Sequence, residues 1–207
     1  QDAVNFDFHE ISFAVPLLAF ALTNLVRERW WPAALWAAPL VLVKDDLGLA
    51  VAAIGVVIFV RRQRRLGLGV TAFGLAVFAL TVLVLIPAFR ADGVYPYFKR
   101  VGEQGEGSSL VDTLVSLPLH LFTPEAKLRT LTFWLLPTLF LALRSPLLLV
   151  AVPTMLWRFT STNHLYWADA YHYDAVVMPI VFVALLDALP RLGLASRGQP
   201  EPEGVDQ

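Results

Sequence analysis

Long apolar runs alternate with short polar breaks along the whole chain. The runs are 11–26, 31–43, 47–60, 66–87, 124–143, 146–157 and 175–189, with the charges gathered between them. A helix crossing the hydrocarbon of a bilayer needs about 20 apolar residues. The runs 66–87 and 124–143 reach that length. The latter also has a good start, with Thr123 to cap, Pro124 suited to the first helical position and Glu125 to complement the dipole. The second, third and sixth runs are short, and must borrow flanking residues, sit where the membrane is thin or lie against protein. The pattern predicts an all-α, polytopic transmembrane bundle of about seven helices.

Lys44-Asp45-Asp46 interrupts the apolar stretch 31–60. One long helix would place three adjacent charges in mid-membrane, at about 2.5–3.5 kcal/mol for each. A hairpin puts them at its tip instead. Charge decides for the hairpin: Arg27-Glu28-Arg29 precedes the stretch and Arg61-Arg62-Gln63-Arg64-Arg65 follows it. Short Arg-rich loops stay cytoplasmic, so the two flanks require an even number of crossings between them. Following that parity, 1–10, 44–46, 88–123 and 158–174 lie outside, while 27–29, 61–65, 144–145 and the C-terminus lie inside.

Residues 1–190 are thus expected to form a single transmembrane domain, and 191–207 a disordered cytoplasmic tail rich in polar residues. In the long outer loop, Ser109 and Asp112 resemble a capping box. Leu110, Val111, Leu114, Val115 and Leu117 then predict an amphipathic helix lying in the interface. No internal repeat is present.

Composition agrees with a membrane class. The chain is 57% hydrophobic and 16% charged, with mean hydropathy +0.62; soluble domains carry about 45–50% apolar and about 25% charged residues. A net charge of -1 argues against a nucleic-acid partner. The lack of cysteine excludes disulfides, iron–sulfur clusters and thiolate zinc sites. The chain begins at Gln1 without a signal-peptide pattern, and reads as the C-terminal part of a larger protein.

The same topology gathers the reactive side chains on one side. His9, His120, His164 and His172 all fall outside, as do all acidic residues except Glu28, Asp187 and those of the tail. Four groups carry potential chemistry. In Asp7-Phe8-His9-Glu10, two carboxylates and an imidazole suit a divalent cation or a general base, or form a segment that merely stays wet. Lys44-Asp45-Asp46 puts adjacent carboxylates at a tight turn. Asp46 capping the next helix and Lys44 neutralising Asp45 is the plain alternative to a functional role.

In the third group, Tyr95 and Tyr97 precede Lys99 and Arg100. The aromatics suit a sugar ring and the cations a lipid phosphate, unless the four form an interfacial belt. In the fourth, residues 160–174, Arg158 lies just upstream and His164, His172 and Tyr173 add polar and aromatic faces. Sugar recognition and an aromatic belt both fit, whereas the spacings match no helix-borne zinc motif.

Five stretches in order, "FDFHE", "LVKDDLGLAVAAIGVVIFVRR", "LIPAF…YPYF", "LLPTLFLALRSPLLLVAVPTML" and "YHYDAVVMPIVF", resemble the predicted membrane-protein family known as domain of unknown function 2079. The resemblance covers about residues 6–186. Members usually have an acidic pair after the lysine of the second stretch, often Glu-Asp; here it is Asp45-Asp46. The family is grouped with the C-type (GT-C) membrane glycosyltransferases. The resemblance therefore implies a glycosyltransferase-like protein of the bacterial plasma membrane. Its donor would be a polyprenyl-phosphate sugar and its acceptor a glycan or lipid, on the extracytoplasmic side. Such transferases usually carry a catalytic carboxylate in a first outer loop, which the resemblance implies would precede Gln1.

The expected base or cation-holding residues are Asp45, Asp46, Asp7 and Glu10. The expected substrate-binding residues are Lys44, His9, Tyr95, Tyr97, Lys99, Arg100, Arg158, His164, His172 and Tyr173. Two other classes stay open: a transporter or flippase for a lipid-linked or anionic solute, and a non-catalytic membrane assembly subunit.

Overall fold

A computed structural model of the chain describes residues 10–91, 93, 123, 125–160, 167 and 172–194. Most of the described residues are helical, joined by turns and short irregular links, with no strand among them. Helix α1 (Ala14–Val26) is entered by a 3-10 turn, Glu10–Phe13. Helix α2 (Trp30–Ala37) tightens into 3-10 over Ala38–Leu42, α3 is Leu47–Val60 and α4 starts at Arg64–Leu80. Helix α5 is Glu125–Leu135, α6 is Val152–Thr160 and α7 is Val177–Ala188.

The break over 43–46 confirms that 31–60 is two helices. Helix α3 is apolar on every side, and Leu47, Val51, Ile54 and Ile58 are all buried. Such a helix belongs at a centre. It packs against α4, α2, α6 and the 3-10 segment Pro146–Ala151, while α7 packs on α1 and the same segment.

Helix α4 is the opposite case. It continues through a π-helical turn, Thr81–Leu85, to Ile86–Ala88, and only Gly67, Gly74 and Val82 of it are buried. Arg64–Ala88 is the one helix among the described residues long and apolar enough to cross a membrane. Its exposed side carries Leu68, Phe73, Leu80 and Leu83, a surface water would not favour. The π turn precedes Pro87, which cannot donate to the carbonyl four residues back.

The α3–α4 contact is made by small residues. A β-carbon on Gly74 would sit 2.5 Å from the Gly48 carbonyl oxygen and 2.6 Å from the Ala52 nitrogen. One on Gly48 would sit 2.9 Å from the Gly74 carbonyl oxygen. Gly55 and Gly67 face each other in the same way one turn pair further on, and Thr71 Oγ1 donates to the Ala52 carbonyl at 3.3 Å. Backbones this close are how apolar helices associate where no water drives them together.

One expectation fails. The apolar run 124–143 is not a single spanning helix: α5 stops at Leu135, and short 3-10 turns follow at Leu136–Thr138 and Leu141–Arg144. Pro137 removes an N–H and crowds the preceding turn. The chain then reverses through two left-handed residues, Leu139 at φ 49° and Phe140 at φ 61°. The N–H groups of Phe140 and Leu139 return to the carbonyls of Leu135 and Leu136, so the reversal satisfies the helix end.

Ser145 then starts the next segment, its hydroxyl accepting from Leu147 N at 3.1 Å. Leu189–Leu192 continues α7 as a 3-10 turn closed by Gly193 in the left-handed region. The rest of the tail and the expected interfacial helix of the long loop lie outside the described residues.

Candidate functional site

The polar groups lie at two opposite ends of the helices. At one end, Asp187 of α7 is buried. Its Oδ2 accepts from Arg61 Nη2 at 2.8 Å, from Ser145 Oγ at 2.7 Å and from Arg191 Nη2 at 3.0 Å. Arg61 Nη1 also donates to the Leu25 carbonyl at 3.2 Å. One carboxylate thus fastens the ends of α1, α3 and α7 to the 145 turn. All four contributing segments are ones that the charge pattern assigns to one side of the membrane.

The other end carries the candidate chemistry. Lys44, Asp45 and Asp46 occupy the turn between α2 and α3. Lys44 Nζ is 3.7 Å from Asp46 Oδ1 and lies over the Trp157 ring of α6, 5.0 Å from its centroid. The plain alternative for Asp46 does not hold, because its side chain makes no capping hydrogen bond to α3. Its Oδ1 is shielded from water and has no hydrogen-bond partner among the described residues. Burial pushes the Asp46 carboxyl above the ordinary carboxylate range, and the neighbouring Asp45 pushes the same way. The Lys44 ammonium and the Trp157 indole oppose this without reversing it.

One residue beyond Trp157, Arg158 is completely buried. Its Nη1 donates to Asp174 Oδ1 at 2.8 Å, and its guanidinium lies over Trp134 at 4.9 Å. Trp134 Nε1 donates to the same Asp174 oxygen at 3.0 Å. Lys127 is also buried; its Nζ donates to the Phe159 carbonyl at 2.6 Å and lies over Trp167 at 5.4 Å. This is a tightly bound cationic layer. Arg158, expected as a phosphate partner, is held here by Asp174 and closed off from solvent.

Glu10, in the first 3-10 turn, is exposed, and that turn packs against His172–Ala175. The backbone of His172 and Tyr173 therefore lies at the same end as Glu10, and Asp174 joins it to Arg158 and so to the Lys44–Asp46 turn. Asp7, His9, Tyr95, Tyr97, Lys99, Arg100 and His164 lie outside the described residues. Among the described residues, no group of three or more His, Asp or Glu side chains could hold a metal ion.

Asp174, Lys127 and Trp134 were not among the expected site residues. A signal for the last two was present: Lys127, Thr130 and Trp134 follow i, i+3, i+7 and form the buried face of α5. Asp174 had no such signal, since its partner is chosen by tertiary packing. Introduced cysteines test the shared end. In otherwise unchanged protein in sealed vesicles, Asp45→Cys and His172→Cys are expected to react with a membrane-impermeant maleimide from the same side. Labelling from opposite sides would break up the site.

No curated protein and no solved structure matches the chain. Residues 2–199 match the family described as "Predicted membrane protein (DUF2079)". With the match covering nearly its whole length, and an apolar, membrane-length α4 beside it, the chain belongs to that family of predicted membrane proteins.

Proposed function

We propose that this protein is a polytopic, multi-pass membrane glycosyltransferase-like protein, using a lipid-phosphate-linked sugar at the extracytoplasmic face. The observation that carries this reading is Asp46. It is a carboxylate at a hairpin tip, with one oxygen shielded from water, free of any capping duty and backed by a second carboxylate and an ammonium. A purely structural turn would use Gly, Asn or Ser, which reverse the chain without buried charge.

The chemistry follows from those groups. The acceptor hydroxyl attacks the anomeric carbon, and the bond from that carbon to the lipid phosphate breaks. The phosphate leaves with the electron pair, and the hydroxyl proton passes to the carboxylate. A carboxyl held above its ordinary range is a better proton acceptor than a solvated one. Lys44, 3.7 Å from Asp46, supplies positive charge for the departing phosphate, with Lys99 and Arg100 of the outer loop as its expected companions. Asp45, Asp7 and Glu10 are the alternative bases, or ligands of a divalent cation that steadies the phosphate.

Asp46→Asn tests this in two ways. In the full-length protein, transfer from a polyprenyl-phosphate sugar to a glycan or lipid acceptor is expected to fall at least a hundredfold, with insertion unchanged, as for loss of a general base. The variant is also expected to melt at a higher temperature than the parent at neutral pH. The raised carboxyl costs the parent stability progressively as pH rises from the ordinary carboxylate range toward its folded value, and in full above that; below the ordinary range the disadvantage vanishes. Retained transfer would remove Asp46 from the site. Solute uptake into vesicles without sugar transfer would favour a transporter instead.

A further inference from the structure

A groove of about 800 Å³ runs between α5, the segment Pro146–Ala151, α6 and α7. Its walls are apolar, with Leu131, Leu135, Leu148, Met155, Val177 and Val181 among them. Its polar lining is concentrated at one end, in Arg144, Ser145 and Arg191. No acidic side chain is among its lining residues. The groove follows α7 from Val177 to Arg191, about 20 Å at 1.5 Å per residue. One leaflet of hydrocarbon is about 15 Å deep, half of the usual core.

We infer that this groove holds an anionic phospholipid, its acyl chain along α7 and its headgroup phosphate between Arg144 and Arg191. Charge complementarity argues for this occupant. Arg144 is exposed at the groove end. Arg191 gives one Nη2 contact to Asp187, an oxygen already served by Arg61 and Ser145, and remains 35% exposed. A guanidinium has five N–H groups in a fork that suits phosphate oxygens, so donors remain for a ligand.

The same end of the molecule carries Arg27, Arg29, Arg62, Arg64 and Arg65 against Glu28. An arginine-rich end of this kind draws anionic lipid, and basic recesses between membrane helices are where such headgroups lodge. The groove is distinct from the Lys44–Asp46 turn, so this inference stands or falls apart from the transferase reading.

Native mass spectrometry of the detergent-purified full chain tests it, with phosphatidylglycerol, phosphatidylcholine and inorganic phosphate as probes. Phosphatidylglycerol is expected to bind at least tenfold more tightly than phosphatidylcholine. Arg144→Gln, which leaves the Asp187 cluster intact, is expected to weaken phosphatidylglycerol about fivefold and phosphatidylcholine, whose choline already offsets its phosphate, by less. Leu149→Trp, which fills the groove without altering charge, is expected to reduce binding of both lipids. Equal binding of the two lipids, or no effect of Arg144→Gln, would overturn the proposal. So would displacement of phosphatidylglycerol by millimolar inorganic phosphate, which would make this a phosphate site and not a lipid site.

Discussion

Asp187→Ala is expected to lower the thermal midpoint of the detergent-solubilised protein by about 6–20 °C. The range follows from about 3–5 kcal/mol for stranding a buried charge and about 2–4 °C per kcal/mol at this chain length. Asp187 is 4% exposed and Arg61 is 11% exposed, so neither can recover its solvation when the other is removed. Arg61 Nε already lacks a hydrogen-bond partner among the described residues, so the guanidinium has little to fall back on. Ser145 would lose its acceptor in the same step, loosening the turn that starts Pro146–Ala151.

The reason for so large an effect is compensation. Adding Arg61→Leu to Asp187→Ala should recover most of the loss, because two apolar groups replace a broken pair. A drop below about 2 °C for the single variant, or strictly additive losses in the cycle, would show that the cluster contributes little.

The second large effect concerns the α3–α4 seam. Gly74→Leu is expected to abolish recovery of folded protein, and Gly74→Ala to lower the midpoint measurably. The added atoms would meet the Gly48 carbonyl and the Ala52 backbone, which cannot rotate away as side chains can. The helices must separate, losing the close van der Waals contact that replaces hydrophobic attraction in lipid. Gly69→Ala is the control on the same helix. A β-carbon there meets nothing within 4 Å. It should stabilise by about 0.5–1 kcal/mol, because alanine restricts the unfolded chain and favours the helix. Equal effects at Gly69 and Gly74 would mean that the seam is not close-packed.

Some of this was legible in advance and some was not. The glycine seam had a signal that the hydropathy pattern conceals: Gly48 and Gly55, and Gly67 and Gly74, stand at i and i+7 on adjacent helices and so share one face of each. The arginines after α3 read as a cytoplasmic loop by charge alone. Nothing in their neighbourhood reveals that Arg61 binds a carboxylate 126 residues away. Asp46 reads naturally as a helix cap, since it precedes Leu47–Val60. Its position beside Trp157 and the lack of a cap bond set that cap reading aside.

By itself, the sequence determined the helical class, the hairpin at Lys44–Asp46 and the length of α4. These are local matters, because the cost of placing a charge in an apolar helix depends on the residues beside it. The tertiary structure alone decided that Pro137 ends α5 through Leu139 and Phe140, that Arg158 is held by Asp174, and that Asp187 gathers three donors. Each depends on which distant segment fills the space, and a buried ion pair is fixed by whatever partner arrives there.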